Sequence, residues 1–321
     1  MHSNSNDIII MMPIYNDWIS VNLLCNKIDE ICAKTSHPLH ILLINDGSTE
    51  KKLDGLSSNN FKNIKSISIL NLRRNLGHQR AIAIGLCYIE DNLEAQSIVI
   101  MDGDGEDSAT DIPLLISSCI HNNNEKIIFA ERSKRSENVT FKIFYSLYKS
   151  LHLILTGQKV RVGNFSIIPK KQVTRIVIVS DLWNHYAASV FKARLPIDTI
   201  HTIRARRLDG KSQMNFTSLI IHGLSAMSVY GDKIGVRLLV ALSIASTTLI
   251  LSLIILYSLN SLLGLHISQY INWALISILL LIPQIFFILL IFVFLILSGR
   301  DSSSFLPIRD YHYYISDFIT I

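Results

Sequence analysis

Apolar residues fall into two patterns along this chain. Up to about residue 130 they form short runs broken by polar turns. Residues 7–12 read as a buried strand stopped by Pro13, since proline cannot donate to a ladder. A helix is predicted from about Asp17, with Trp18, Val21, Cys25, Ile28 and Cys32 along one face. Residues 39–44 predict a second strand running into the turn signal Asn45, Asp46, Gly47, Ser48. Residues 64–70, 96–101 and 127–130 read as further strands, and 77–90 as a helix with Ala81, Ile84 and Tyr88 facing inward. Strands alternating with helices imply βαβ units and a mostly parallel sheet, with ligands at the carboxyl ends of the strands. The acidic turns at 45–48 and 102–107 lie at such ends.

From Val139 the period becomes helical. Phe141, Phe144, Tyr148, Leu151 and Leu155 form one stripe; Phe216, Leu219, Ile220, Gly223, Leu224 and Met227 form another. Each fits a core helix or a helix lying in a membrane interface. Residues 238–299 contain no Asp, Glu, Lys or Arg. Within them, 238–258 and 273–297 are each long enough to cross a hydrocarbon core of about 30 Å at about 1.5 Å per residue. The loop between them has no Lys or Arg, whereas Lys233, Arg237, Arg300 and Arg309 flank the pair. The positive-inside rule then predicts a multi-pass integral membrane protein with both ends and its catalytic domain cytoplasmic. Tyr257, Tyr270 and Trp273 would form an outer aromatic belt. The expected division is 1–175 for the catalytic domain, 176–237 for an acceptor-side and membrane-interface segment, 238–299 for the spans and 300–321 for a cytoplasmic tail.

Charge sharpens this picture. Residues 1–125 hold 9 basic and 16 acidic side chains, and residues 126–237 hold 19 and 6, within a net charge of +5. An acidic half beside a basic half suits a metal site next to an anion-handling, membrane-facing surface. Nucleic acid is a weaker partner, because the basic stretch leads into the apolar spans. Cys25, Cys32, Cys87 and Cys119 show no metal spacing and read as buried residues of a reducing compartment. No signal peptide is recognised at the N-terminus.

Asp102 and Asp104, two residues apart at a strand end, can converge on one hard cation, Mg²⁺ or Mn²⁺, shared with substrate phosphates. Glu106 and Asp107 add carboxylates to the same turn, and the later ligand positions of a calcium-binding loop are lacking. A capped acidic turn is the plain structural alternative. Asp46 is placed to accept an N–H from a nucleotide base, with Gly47 allowing close approach; an Asx turn fits equally well. Arg132, Lys134, Arg135, Arg204, Arg206, Arg207 and Lys211 offer guanidinium and ammonium groups for phosphate. His78, His185, His201 and His222 have no zinc spacing and read as satisfied or exposed. GxSxG, Walker A and GxGxxG motifs do not occur.

Together these segments resemble glycosyltransferase family 2, with the GT-A fold. Met12-Pro13-Ile14-Tyr15-Asn16-Asp17 resembles its P-x-Y-N-E motif, with Asp17 for Glu. Asn45-Asp46-Gly47-Ser48-Thr49 is similar to its D-G-S-T turn, and Arg74-Asn75-Leu76-Gly77 to R-N-x-G. Asp102-Gly103-Asp104-Gly105-Glu106-Asp107 resembles D-A-D-L-Q-D, with Glu106 in place of Gln. Gly163-Asn164-Phe165 and Arg207-Leu208-Asp209-Gly210-Lys211-Ser212 resemble segments of the polyprenyl-phosphate subgroup, with Asn164 where that subgroup has Asp.

The resemblance implies a Rossmann-like, mostly parallel α/β sheet domain, followed by interfacial helices and a two-helix transmembrane hairpin. It implies nucleotide-sugar contacts from Pro13, Tyr15, Asp17, Asp46, Asn75, Gly77 and Asp102, and metal ligation by Asp102, Asp104 and Glu106. The expected reaction is inverting transfer of a sugar from a nucleoside-diphosphate sugar to polyprenyl phosphate, with Asp104 catalytic and Arg132, Arg135 and Arg207 holding phosphate. An anionic phosphate acceptor needs no base, whereas a hydroxyl acceptor on a lipid-linked glycan would, and Asp107 is the candidate for that. A processive synthase lacks its Q-x-x-R-W motif here, and a nucleotidyltransferase lacks its glycine-rich loop. A tethered, non-catalytic nucleotide-sugar-binding partner is the non-enzymatic alternative, and a homo-oligomer is compatible with all of these.

Overall fold

The computed structural model describes residues 6–33, 35, 37–52, 56–132, 139–158, 162–210, 216–263, 269–301 and 305–321. They fall into two compact units. The first comprises Met1–Tyr145, Val160–Val229 and Phe305–Ile321; the second comprises Ser146–Lys159 and Tyr230–Ser304.

In chain order the elements are β1 (Ile8–Ile14), α1 (Trp18–Cys32), β2 (Leu39–Asn45), β3 (Ile64–Leu72), α2 (His78–Asn92), β4 (Ser97–Ile100), α3 (Ile112–His121), β5 (Ile127–Arg132) and α4 (Val139–Thr156). There follow β6 (Ser166–Pro169), α5 (Lys170–Ile176), α6 (Tyr186–Lys192), β7 (Ile197–Thr202), α7 (Phe216–Ser228), α8 (Gly231–Leu263), α9 (Gln269–Asp301), α10 (Pro307–Asp310) and β8 (Ile315–Thr320).

The strands form one eight-stranded sheet in the order β7-β5-β6-β4-β1-β2-β3-β8. β4, β1, β2 and β3 run parallel, as do β5 and β7; β6 is antiparallel to β4 and β5, and β8 to β3. Alternation along β1 feeds two cores. Ile9 and Met11 pack with Ala81, Ile84 and Ile89 of α2, and Ile8, Ile10 and Met12 with Val21 and Ile28 of α1 and Leu115 of α3. Both faces are covered, which is why β1 is apolar throughout rather than alternating.

Three expectations need correction. Pro13 does not stop β1, which continues to Ile14. The Met11 carbonyl accepts from Met101 N, so odd-numbered residues of β1 face β4, whose pairing with β1 ends at Met11 opposite Ile100. The proline therefore lacks an N–H only where no neighbour would receive it. The boundary expected between 175 and 176 falls inside α5. Residues 305–321, read as a tail, belong to the sheet unit: β8 pairs with β3 from Ser68↔Thr320 to Leu72↔Ile315, and Phe318 stacks on Tyr88 at 5.2 Å. Cys25, Cys87 and Cys119 are buried, as expected.

In the second unit, α8 and α9 are each longer than the apolar stretches that predict them. Gly231–Leu259 and Leu275–Val293 are long and apolar enough to cross a membrane. Pro283 sits inside α9.

Candidate active site

The carboxyl ends of β1, β2 and β4 lie together, and the loops leaving them are tied side chain to backbone. After β1, Asn16 takes the left-handed conformation (φ 57°), which asparagine tolerates better than most residues. Its carbonyl oxygen accepts from Thr49 N at 2.9 Å and Glu50 N at 3.0 Å, its amide donates to Thr49 Oγ1, and its own N–H donates to Ser48 Oγ. Asn16 thus staples the Pro13–Asp17 turn to the Asp46–Thr49 turn. Gly47 also sits at positive φ (70°), and a Cβ there would overlap the backbone of Arg74 and Asn75. Its lack of a side chain is what lets that third loop close in.

Asp46 is buried, and its two oxygens accept from Leu76 N at 2.7 Å and Gly77 N at 2.8 Å. Burial pushes its pKa up, against these two N–H groups. Its carboxylate organises the loop ahead of α2 through bonds 30 and 31 residues along the chain, not through the local Asx turn weighed for it from sequence. Asn75 and Tyr15 stay exposed on the rim.

After β4, the turn 102–107 folds on itself. Asp107 is 2 % exposed and accepts from Asp102 N at 3.0 Å, so its carboxylate supports the turn from beneath. Asp104 accepts from Glu106 N at 2.9 Å across Gly105 (φ 80°). Asp102 faces His78, the first residue of α2, with Oδ1 to Nε2 at 3.1 Å; Asn164 Nδ2 is also 3.1 Å from that nitrogen. Partial burial alone would lower the His78 pKa, but Asp102, with Asp107 and Asp104 behind it, reverses the balance and raises it. His78 therefore favours the charged form beside the acidic turn. His222 of α7 lies against His185, ring centres 4.9 Å apart, and its pKa is lowered by burial and then by the His78 charge.

Residues 203–209, between β7 and α7, cross the same turn. Ala205 N donates to Glu106 O and Leu208 N to Asp104 O, each at 3.0 Å. Arg207 bridges two carboxylates: Nη1 reaches Asp104 Oδ2 at 3.0 Å, Nη2 bonds Asp17 Oδ1, and Nε donates to Asp209 O at 2.9 Å. Arg204 pairs with Glu106. Burial raises the Asp17 pKa, opposed by Arg207 and helped by Asp104.

The sequence-predicted residues Pro13, Asp17, Asp46, Gly77, Asp102, Asp104, Glu106 and Arg207 therefore meet at one end of the sheet. Arg132 closes β5 opposite Thr202, and Arg135 and Lys134 lie outside the described residues. Sequence reasoning missed Asn16 and His78 as site residues, and read Arg204 as a group for phosphate rather than as the partner of Glu106. Asn16 stood inside a recognised motif; the partners of His78 and Arg204 are too distant in the chain for spacing to signal them.

The donor set can be tested for a divalent cation. Asp102 and Asp104 offer hard oxygens of the right kind. Among the described residues no three His, Cys, Asp or Glu side chains converge as a metal cage. Glu106 is turned to Arg204. The donor set thus offers a divalent cation the two carboxylates of Asp102 and Asp104.

The chain is a glycosyltransferase. It belongs to the family described as Glycosyl transferase family 2, which matches residues 9–182, over half of its length. It is similar to an uncharacterized glycosyltransferase of Bacillus subtilis (strain 168), with 23 % identity over 70 % of this chain and 68 % of that one. It is also similar to an undecaprenyl-phosphate 4-deoxy-4-formamido-L-arabinose transferase of Yersinia enterocolitica, with 23 % identity over 66 % of this chain and 63 % of the relative. A dodecaprenyl-phosphate galacturonate synthase of Rhizobium johnstonii matches at 27 % over 35 % of this chain and 32 % of its own. Among solved structures, glucosyl-3-phosphoglycerate synthase from Mycobacterium tuberculosis, in complex with Mn²⁺, UDP-glucose and phosphoglyceric acid, aligns with a TM-score of 0.48 at 13 % identity, covering 72 % of this chain and 80 % of that one.

Proposed function

We propose that this glycosyltransferase moves a sugar from a nucleoside-diphosphate donor to polyprenyl phosphate at the cytosolic face of a membrane, with inversion. The observation that carries the reading is the meeting of Asp17, Asp102, Asp104 and Arg207 at the carboxyl ends of β1 and β4, beside the loop organised by Asp46. Asp102 and Asp104 would hold Mg²⁺ or Mn²⁺, which when bound neutralises charge on the leaving diphosphate. Arg207 is placed to grip the same diphosphate through its fork of donors. The Asn16 staple and the Asp46-held loop fix the walls where the nucleotide lies, so little ordering entropy is lost on binding.

The acceptor is argued from Asp107. A hydroxyl acceptor needs a base within hydrogen-bond reach. Asp107 is buried and committed to Asp102 N, so it is poorly placed for that task. A lipid phosphate, with a second pKa near about 6, is already largely anionic at neutral pH and needs only to be held in line. Two relatives bear names of polyprenyl-phosphate sugar transferases, which agrees with this acceptor. The apolar helices α8 and α9, flanked by Lys233, Arg237, Arg300 and Arg309, would anchor the enzyme with its sheet unit in the cytosol.

The test presents membranes carrying the protein with labelled UDP- and GDP-sugars and polyprenyl phosphate. A chelator-sensitive labelled lipid is expected. Asp104→Asn should lower its formation by at least about a hundredfold while the protein stays in the membrane. Full activity of that variant, or label found only on a glycan hydroxyl, would overturn the respective assignment.

A further inference from the structure

The segment 203–209 is bound to the acidic turn more closely than a phosphate-gripping loop requires. Two of its backbone N–H groups donate to the carbonyls of Asp104 and Glu106. Ser20 of α1 donates to the Asp209 carbonyl at 3.4 Å. Leu208 lies over Gly105 so closely that a Cβ on that glycine would overlap its side chain. Three ion pairs from two arginines complete the strap: Arg204 with Glu106, and Arg207 with both Asp17 and Asp104. The Asp104 and Asp17 carboxylates are 16 % and 26 % exposed, and the Arg207 side chain between them 15 %. Two carboxylates this sheltered repel each other strongly unless a cation lies between them.

Building on the transferase reading above, we propose that Glu106 and Arg204 form a positioning pair. The pair locks the strap onto the acidic turn and sets Arg207 as an internal counter-cation at Asp17 and Asp104 until a metal-bound diphosphate replaces it. Glu106 is then not a metal ligand in this chain. Its carboxylate is spent on Arg204, and the change from the usual Gln to Glu gains a physical reason, because a carboxylate forms an ion pair with a guanidinium where an amide oxygen offers only the weaker neutral hydrogen bond. Arg207 has two positions to serve. It neutralises the carboxylates in the empty site. With a cation held by Asp102 and Asp104, the guanidinium would be released from Asp104 and could turn to phosphate oxygens.

The test uses the full chain in lipid nanodiscs and needs neither sugar donor nor acceptor, so its outcome is independent of the transfer assignment. Hydrogen exchange at the Ala205 and Leu208 amides reports strap opening. Glu106→Gln and Arg204→Gln are each expected to speed that exchange about three- to tenfold, and the reversed pair Glu106→Arg with Arg204→Glu to bring it back. Affinity for Mn²⁺ alone, read by electron paramagnetic resonance, should stay within about threefold in the reversed pair and tighten in Arg207→Gln, where the competing cation is gone. The single Glu106→Gln variant, which carries the residue usual in the family, serves if the reversed pair does not fold. Unchanged exchange in both single variants would overturn the lock. A loss of Mn²⁺ affinity of about tenfold or more in the reversed pair would make Glu106 a ligand after all. Equal or weaker Mn²⁺ binding in Arg207→Gln would overturn the counter-cation role.

Discussion

Ile8, Ile9, Ile10, Met11 and Met12 of β1 are each at most 1 % exposed, whereas Ile244 of α8 and Leu280, Ile288 and Leu295 of α9 are 62 to 66 % exposed. All are large apolar residues, and their surroundings differ. The strand finds helices on both faces, so its apolar surface is removed from water by the protein itself, at about 25 cal/mol per Å². The two long helices are apolar as well, and bury little of that surface within their own unit. A patch of that size marks a surface meant for another solvent or partner, and helices of this length and composition match a bilayer. Hydropathy alone therefore does not say where an apolar residue ends up; the neighbours do.

The contrast can be broken at either end. The largest effect is expected in the sheet. Ile41→Ala, at a fully buried position of β2, should cost about 2–5 kcal/mol, read as a lowered denaturant midpoint. The same truncation at Ile288 should shift it by no more than about 0.5 kcal/mol. Equal costs would mean that α9 is packed within a protein core. Next in size is a charge placed on the exposed face. Ile288→Arg should oppose insertion by about 2.5–3.5 kcal/mol and release protein from carbonate-washed membranes. Unchanged membrane retention would argue that this face does not meet lipid.

The smallest effect sharpens the sheet side alone. His40 is buried in β2 between Asp7, at 2.9 Å from Nε2, and Ser66, at 2.7 Å from Nδ1. Burial pushes its pKa below the usual value of 6.5, with Asp7 opposing. The unfolded ring then takes up a proton near 6.5 while the folded ring resists. Stability is flat above that pH and falls as pH drops through it toward the folded value. His152, shifted down by burial, acts in the same direction in the second unit. His40→Gln should flatten the sheet unit's loss of thermal stability between about pH 7.5 and 5.5. A wild-type midpoint that rose on acidification would instead mean that a charged His40–Asp7 pair dominates.

What could be read in advance differs in kind across the molecule. β1 to β5 were legible because each is a compact apolar run ended by turn residues. β7 and β8 were not, because IDTIHT and ISDFIT mix polar and apolar positions and lie at the two sheet edges, half exposed. β6 has only four residues, and its identity as a strand comes from antiparallel pairing with β4 and β5. In the site, the turns at 45–49 and 102–107 were visible because carboxylates next to glycines at strand ends make a local signal. The bond between Asp17 and Arg207, 190 residues apart, has no local signal at all.

By itself the sequence determined the alternation of strands and helices, the acidic turns at the strand ends, and the two long uncharged apolar stretches. Each depends on residues within one or two turns of chain, where pattern and geometry are directly linked. Only the tertiary structure decided that the last seventeen residues close a sheet edge rather than trail as a tail. Only it turned Asp46 and Asp107 inward as supports, set His78 against Asp102, and brought Arg204 and Arg207 across the acidic turn. These outcomes depend on which distant segments pack together, and on burial bringing opposite charges within bonding distance, and no local pattern encodes either.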